Sequence, residues 1–411
     1  MRTTTTSKIF ILFILGSLST VTPFAIDLYL PAFGQLSAEF ETTIASISLS
    51  VSSYFVGMAL GQMLYGPLLD RYGRKPPLYV GLFVFVLASF GCMASNSVDM
   101  LITFRFFQAL GGSVAWVAAV TMVRDFFPVK ESANVFSLLV LIIGVSPLLA
   151  PTLGGFISDA WGWRAVFIVL ACIAVCTVML VLWFLPDGQP PDSTVSLRAK
   201  PMIMTFFTIL KEPQFFTYSF ANAFSFATLF IYVAGSPIIF MEYYGVSPKV
   251  YGGIFALLSV GFIGASQLNI LLTRKYRSDR IFKIALTIQA LNSIVFLIAI
   301  LNGILGLYST IGMLFVCLSC VGAMNPNANA LALAPFTRNI GSASALLGFT
   351  QIGVAALASS GVGLFESKDV HPVVILLVIT SSIAWLVLFF GYPRIKTLTL
   401  GHVDDIAVGG H

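Results

Sequence analysis

Long apolar runs separated by short polar breaks dominate the pattern along this chain. The runs cover 9–30, 46–69, 77–94, 98–122, 133–157, 164–185, 215–240, 250–272, 282–301, 305–331, 341–364 and 372–392. An α-helix needs about 20 such residues to cross the hydrocarbon core of a bilayer. The pattern therefore predicts an all-α integral membrane protein with twelve transmembrane helices. The fourth and tenth runs both contain polar residues. The first run lacks a small-residue cleavage site and outlasts a signal-peptide core, so it is expected to remain as a spanning helix.

The longest break lies between the sixth and seventh runs. It begins Leu185-Pro186-Asp187-Gly188-Gln189-Pro190-Pro191 and reaches about Lys211. Proline and glycine oppose a helix through its first part. The expected organisation is an N-terminal six-helix bundle (1–185), a linker (186–213), a C-terminal six-helix bundle (214–392) and a tail (393–411). The breaks after the second and eighth runs are alike. Leu68-Leu69-Asp70-Arg71-Tyr72-Gly73-Arg74-Lys75 and Leu271-Leu272-Thr273-Arg274-Lys275-Tyr276-Arg277-Ser278 both place basic residues after two leucines. Two pseudo-symmetric halves with a binding site at their interface are a transporter architecture.

Composition excludes a soluble globular fold. Of the 411 residues, 58% are hydrophobic and 9% charged, against about 25% charged in soluble domains. Charge placement carries more than the net +5. Eighteen of the 22 Lys and Arg fall on the side of the N-terminus, and only Arg164, Lys249 and Lys368 on the other. The positive-inside rule then predicts that both termini are cytoplasmic. The basic residues serve topology in this reading, so no nucleic acid is expected as a partner.

Chemistry-bearing residues inside the runs are few. Cys317 and Cys320 form a CxxC, but no His or carboxylate lies near them, so buried apolar thiols are expected rather than a metal site. His371, His402 and His411 fall outside the runs. No metal or cofactor is expected. Two charges stand out because an intramembrane charge is costly. Asp27 lies near the outer end of the first run, in Ala25-Ile26-Asp27-Leu28-Tyr29-Leu30-Pro31. Arg105 lies in the outer third of the fourth, in Phe104-Arg105-Phe106-Phe107-Gln108. Both are expected to face one water-filled cavity. A carboxylate that meets wet and dry surroundings in turn can bind and release a proton. The plainer alternatives are that Asp27 marks the water interface and that Arg105 bonds backbone carbonyls.

The segment Gly66-Pro67-Leu68-Leu69-Asp70-Arg71-Tyr72-Gly73-Arg74-Lys75 is the most specific motif. Gly66 is expected to let two helices approach closely. Asp70 at a helix end can cap a neighbouring helix or pair with an arginine. Gly73 supplies a tight turn, and Arg71, Arg74 and Lys75 hold the loop on the basic side.

This segment resembles the loop signature of the major facilitator superfamily. Arg105-Phe106-Phe107-Gln108-Ala109-Leu110-Gly111-Gly112 resembles the family's fourth-helix motif. Pro147-Leu148-Leu149-Ala150-Pro151-Thr152-Leu153-Gly154-Gly155 is similar to its antiporter motif, with Ala150 where glycine is usual. Asp27-Leu28-Tyr29-Leu30-Pro31 and Gly341-Ser342-Ala343-Ser344-Ala345-Leu346-Leu347-Gly348 resemble the Bcr/CflA-type drug-resistance branch. The resemblance spans essentially the whole chain. It implies the major facilitator fold in a bacterial inner membrane and a monomer that exports small molecules against protons by alternating access. It also implies that Asp27 is a proton and substrate site, that Arg105 is essential, and that Pro147, Pro151, Gly154 and Gly155 shape a bendable fifth helix.

Polar and aromatic residues of the runs are candidates for the substrate cavity: Tyr29, Gln108, Trp116, Asn222, Tyr232, Asn325, Asn327, Asn329 and Gln351. Asn and Gln also join helices by hydrogen bonds, which stays open for each of them. Asn325-Pro326-Asn327 predicts a broken or kinked tenth helix. Few charges and many aromatics suit drug-like lipophilic, neutral or cationic substrates. An exporter of one endogenous metabolite, such as a siderophore or an amino-acid derivative, is the nearest rival. An importer fits the fifth-helix motif poorly. An intramembrane enzyme lacks clustered His, Ser or acid, a channel lacks a filter segment, and an ATP-driven pump lacks GxxxxGK[ST].

Overall fold

The computed structural model of the chain describes residues 5–127, 129–192, 199–336, 340–364, 370–395 and 398. Among the described residues there is no β-strand. The long helices are α1 (Thr5–Asp27), α3 (Ile44–Arg71), α4 (Lys75–Met93), α5 (Val98–Phe126), α6 (Val129–Trp161), α7 (Trp163–Phe184), α9 (Pro213–Pro237), α10 (Pro248–Leu272), α11 (Ser278–Leu301), α12 (Leu307–Leu333), α13 (Ile340–Leu364) and α14 (His371–Gly391). Two short helices join them, α2 (Phe33–Glu39) and α8 (Ala199–Leu210). Eleven stretches among the described residues are long and apolar enough to cross a membrane. The 33-residue α6 has the length as well. Arg2, Arg198, Arg338, Lys368 and Lys396, used above to read topology, lie outside the described residues, as does nearly all of the tail.

Helix ends follow local chemistry. Pro31 cannot donate to the carbonyl four residues back and would collide with it, so α1 ends at Asp27 and a 3-10 turn at Leu30–Ala32 follows. Thr43 caps α3 by accepting from the Ser46 N–H at 3.1 Å, and Ser97 caps α5 by accepting from Met100 at 3.3 Å. Gly162, at φ +79°, turns α6 into α7. In lipid the helix satisfies its own backbone, so apolar faces can point outward. Val80, Phe83, Leu87, Ile284, Leu291, Val295 and Phe390 do so.

The chain divides into two compact units, Met1–Leu197 with Ser247–Phe255, and Arg198–Val246 with Ala256–His411. The first contains the N-terminal six long helices. Its tightest seam joins α3 to α5. Methyls on Gly57 and Gly61 would collide with the Phe106 carbonyl oxygen and the Ser113 hydroxyl. In the second unit α10 meets α12 the same way, since a methyl on Gly322 would strike the Phe262 carbonyl oxygen. Near the α6–α7 turn, Glu39 accepts from Trp163 Nε1 at 2.6 Å and pairs with Arg164 at 2.7 Å.

Two expectations are corrected. Gly66 is not a close-approach glycine: a methyl there would meet nothing within 4 Å. The helices cross one and two turns earlier, where Gly57 and Gly61 sit. Of the broken or kinked helix expected at Asn325-Pro326-Asn327, the break is overturned, since α12 runs through Pro326 without interruption. Losing one N–H near a helix's C-terminal end leaves the surrounding turns bonded.

Candidate functional site

Arg105 is the organising residue of the first unit. It is fully enclosed on α5. Its Nη1 donates to the Ala25 carbonyl of α1 at 2.9 Å and to Gln108 Oε1, one turn along α5, at 2.6 Å. Gln108 Nε2 donates to Ser89 of α4 at 2.8 Å. The rings of Tyr29 and Tyr54 lie 4.8 and 4.3 Å from the guanidinium carbon. Tyr29 is held by a 3.0 Å hydrogen bond between its hydroxyl and Ser50 of α3. Arg105 Nε and Nη2 have no hydrogen-bond partner among the described residues, so the two π-faces stabilise the rest of the cation. A desolvated cation–π contact contributes about 2 kcal/mol, comparable with the roughly 3 kcal/mol that insertion of an arginine costs. One guanidinium thus ties α1, α3, α4 and α5 together.

Asp27 is also buried, 5% exposed, at the last residue of α1. No ion pair joins it to Arg105, and none joins it to any other described residue. Arg105 instead takes the backbone carbonyl of Ala25, two residues before Asp27. Beside it, α6 reaches α1 so closely that a methyl on Gly154 would strike the Leu28 carbonyl oxygen. Gly155 faces the Pro248 carbonyl, where a methyl would sit 3.4 Å away. Pro147 and Pro151 lie inside a continuous α6.

The cavity candidates separate into groups. Tyr29 and Gln108 are fully buried in the service of Arg105 and present no free surface. Asn222, Asn325, Asn329 and Gln351 converge from α9, α12 and α13. Asn222 Nδ2 donates to Asn325 and Asn329 at 3.0 and 3.2 Å, and Gln351 Nε2 to Asn325 at 2.6 Å. The Asn222 carbonyl oxygen is buried with no partner among the described residues. Asn327 points elsewhere and donates to Asn269 of α10 at 2.7 Å, a bond between helices. Tyr232 is buried on α9, and Trp116 is half-buried on α5. Cys317 of the CxxC takes hydrogen bonds from Asn292 at 3.1 Å.

The Gly66–Lys75 segment forms a charge cluster at the basic end of the first unit. Gly73 turns at φ +82°. Arg74 Nε donates to Asp125 Oδ2 at 2.8 Å, and its Nη1 to Asp70 at 2.6 Å. Burial disfavours the Arg74 charge, yet Asp125 and Asp70 outweigh it and hold its pKa above the usual value. The start of the linker lies across this cluster. Gln189 accepts from Arg74 at 3.2 Å and its N–H donates to Asp125 at 3.2 Å, while Asp192 N–H donates to the Asp70 carbonyl at 3.1 Å. Lys75 pairs with the exposed Asp187 at 2.8 Å, a contact worth little in water. Sequence reasoning missed Tyr54, Ser89, Asp125 and Gln189. Asp125 had a signal, an acid on the basic side at the end of the fourth run. The others carry none, since a tyrosine, a serine and a glutamine announce no partner.

The comparisons agree with this architecture. Residues 15–360 match the Major Facilitator Superfamily, and the chain belongs to that family. It is a multi-pass membrane transporter of small molecules, not an enzyme. Among its relatives, the bicyclomycin resistance protein homolog of Haemophilus influenzae is 31% identical, over 87% of this chain and 90% of the relative. The multidrug resistance protein MdtL of Shewanella oneidensis is 26% identical, over 92% and 94%. The fold also matches a bacterial homologue of the lysosomal transporter Spinster in an inward-facing, occupied conformation, with TM-score 0.72, 14% identity and coverage of 100% and 98%. A D-xylose–proton symporter gives 0.69 at 16% identity, over 92% and 97%.

Proposed function

We propose that this chain is a monomeric proton-coupled exporter of drug-like compounds in a bacterial inner membrane, with both termini cytoplasmic. The observation that carries the reading is Asp27, a buried carboxylate at the end of α1 with no ion-pair partner among the described residues. A permanently ionised carboxylate in that place would be costly without a cation, whereas one that exchanges a proton has a use for it. The names of the relatives, a bicyclomycin resistance homologue and MdtL, supply the substrate class. Arg105 acts as the positioning residue that sets α1 against α3, α4 and α5. The amide cluster of Asn222, Asn325, Asn329 and Gln351 favours substrates rich in neutral hydrogen-bonding groups, with the unpartnered Asn222 oxygen as an acceptor.

Inverted membrane vesicles holding a proton gradient test this. Addition of neutral and cationic antibiotics or dyes should trigger proton release in the native protein and none in Asp27→Asn. Release that survives Asp27→Asn would remove Asp27 from the coupling path. Silence to every drug, with a response to siderophore-like or amino-acid-derived compounds, would favour a dedicated metabolite exporter.

A further inference from the structure

A cleft in the second unit has no part in the transport reading. It lies where the end of α10, the first three turns of α11 and the middle of α12 meet, with a volume of about 540 Å³. Ile284, Ala285, Ile288 and Cys320 line its apolar interior, and Tyr276 and Arg280 stand at one end. Ile284 and Ile288 are exposed on the membrane-facing surface. Ile288 lies about 12 Å along α11 from Arg280, so the cleft runs from the water boundary into the hydrocarbon layer.

The charges at its mouth are unbalanced. Segment 274–283 holds five basic residues and a single acid. That acid, Asp279, is already shared by Arg277 at 3.1 Å and Lys283 at 3.8 Å. Arg280 is exposed and makes no ion pair or side-chain hydrogen bond among the described residues. An apolar slot of acyl-chain dimensions under an unpaired guanidinium fits one class of molecule in its surroundings.

We propose that this cleft binds an anionic phospholipid from the leaflet on the basic side. Its phosphodiester meets Arg280, with the Tyr276 hydroxyl beside it, and one acyl chain follows Ile284 and Ile288 toward Cys320. Charge complementarity selects the anionic lipid. A zwitterionic headgroup carries its own cation beside the phosphate and gains less from Arg280, and a purely apolar occupant would gain nothing from it.

Native mass spectrometry of the purified full-length protein, equilibrated with equal phosphatidylglycerol and phosphatidylethanolamine, tests the assignment. Phosphatidylglycerol should be retained preferentially. Arg280→Gln should lower that retention about fivefold, the worth of one basic residue at an anionic surface, and leave phosphatidylethanolamine unchanged. Ile288→Trp, at an exposed position, fills the cleft and should displace the lipid while gel-filtration behaviour stays native. Arg274→Gln should change little. Equal retention of both lipids by the native protein, or the same preference in Arg280→Gln and Ile288→Trp, would overturn the proposal. So would an equal loss in Arg274→Gln, which would mean diffuse attraction to the basic loop rather than a site.

Discussion

A buried guanidinium needs planar partners as well as hydrogen bonds, and Arg105 has both. This distinguishes it from a lysine, a compact charge that cannot bond Ala25 and Gln108 and lie against two rings at once. Tyr54 contributes its ring at 4.3 Å. Tyr54→Phe should therefore keep transport close to native, while Tyr54→Leu should lower it roughly tenfold, the loss of about 1–2 kcal/mol of cation–π stabilisation. Initial rates of drug extrusion from loaded cells measure the difference. Equal loss in both variants would move the role of Tyr54 from its ring to its hydroxyl.

Among the helices, the seams depend on where glycine meets backbone. Gly57→Ala sets a methyl against the Phe106 carbonyl oxygen, which cannot rotate away. It should destabilise the first unit by about 1–3 kcal/mol. Gly66→Ala has open space and should leave the melting transition in detergent unchanged or slightly raised, since alanine is the better helix former by up to about 1 kcal/mol. A fall with Gly66→Ala equal to that of Gly57→Ala would contradict the seam described here. At the basic end, the Arg74–Asp125 pair is buried, with side chains 6% and 3% exposed. Charged hydrogen bonds contribute about 1.5–3 kcal/mol each. Asp125→Asn should therefore release residues 187–192, and limited proteolysis there should speed up by at least roughly tenfold. An unchanged cleavage rate would mean that the linker is held by other contacts.

For the molecule as a whole, the lipid-facing surface and the basic loops define how it sits in a bilayer. The proposed orientation places Lys275 inside and Lys249 outside. With the five native cysteines replaced, a membrane-impermeant maleimide should label Lys249→Cys but not Lys275→Cys in intact cells, and lysis should expose the second. The reverse pattern would invert the topology and with it the direction of proton coupling.

The helices and their count followed from the sequence because in hydrocarbon every span must satisfy its own backbone, which imposes long, nearly uninterrupted apolar runs. The Gly73 turn before α4 was legible, whereas the first run was drawn to residue 30 and Pro31 ends α1 at Asp27. The rare charges, Asp27 and Arg105, were conspicuous because a membrane tolerates so few. Their partners were not legible. Residues 80 positions apart meet at Ala25 and Arg105, and Arg105 bonds a backbone carbonyl rather than the Asp27 carboxylate. Tyr29 and Gln108, polar in a linear reading, are enclosed because a buried cation consumed their polarity. The positions of Gly57 and Gly61 against α5, of Gln189 across Arg74, and of the four amides around Asn222 were decided by packing between helices distant in the chain. Side-chain type along the sequence carries burial preference, but which buried group meets which depends on how the rods are laid against each other.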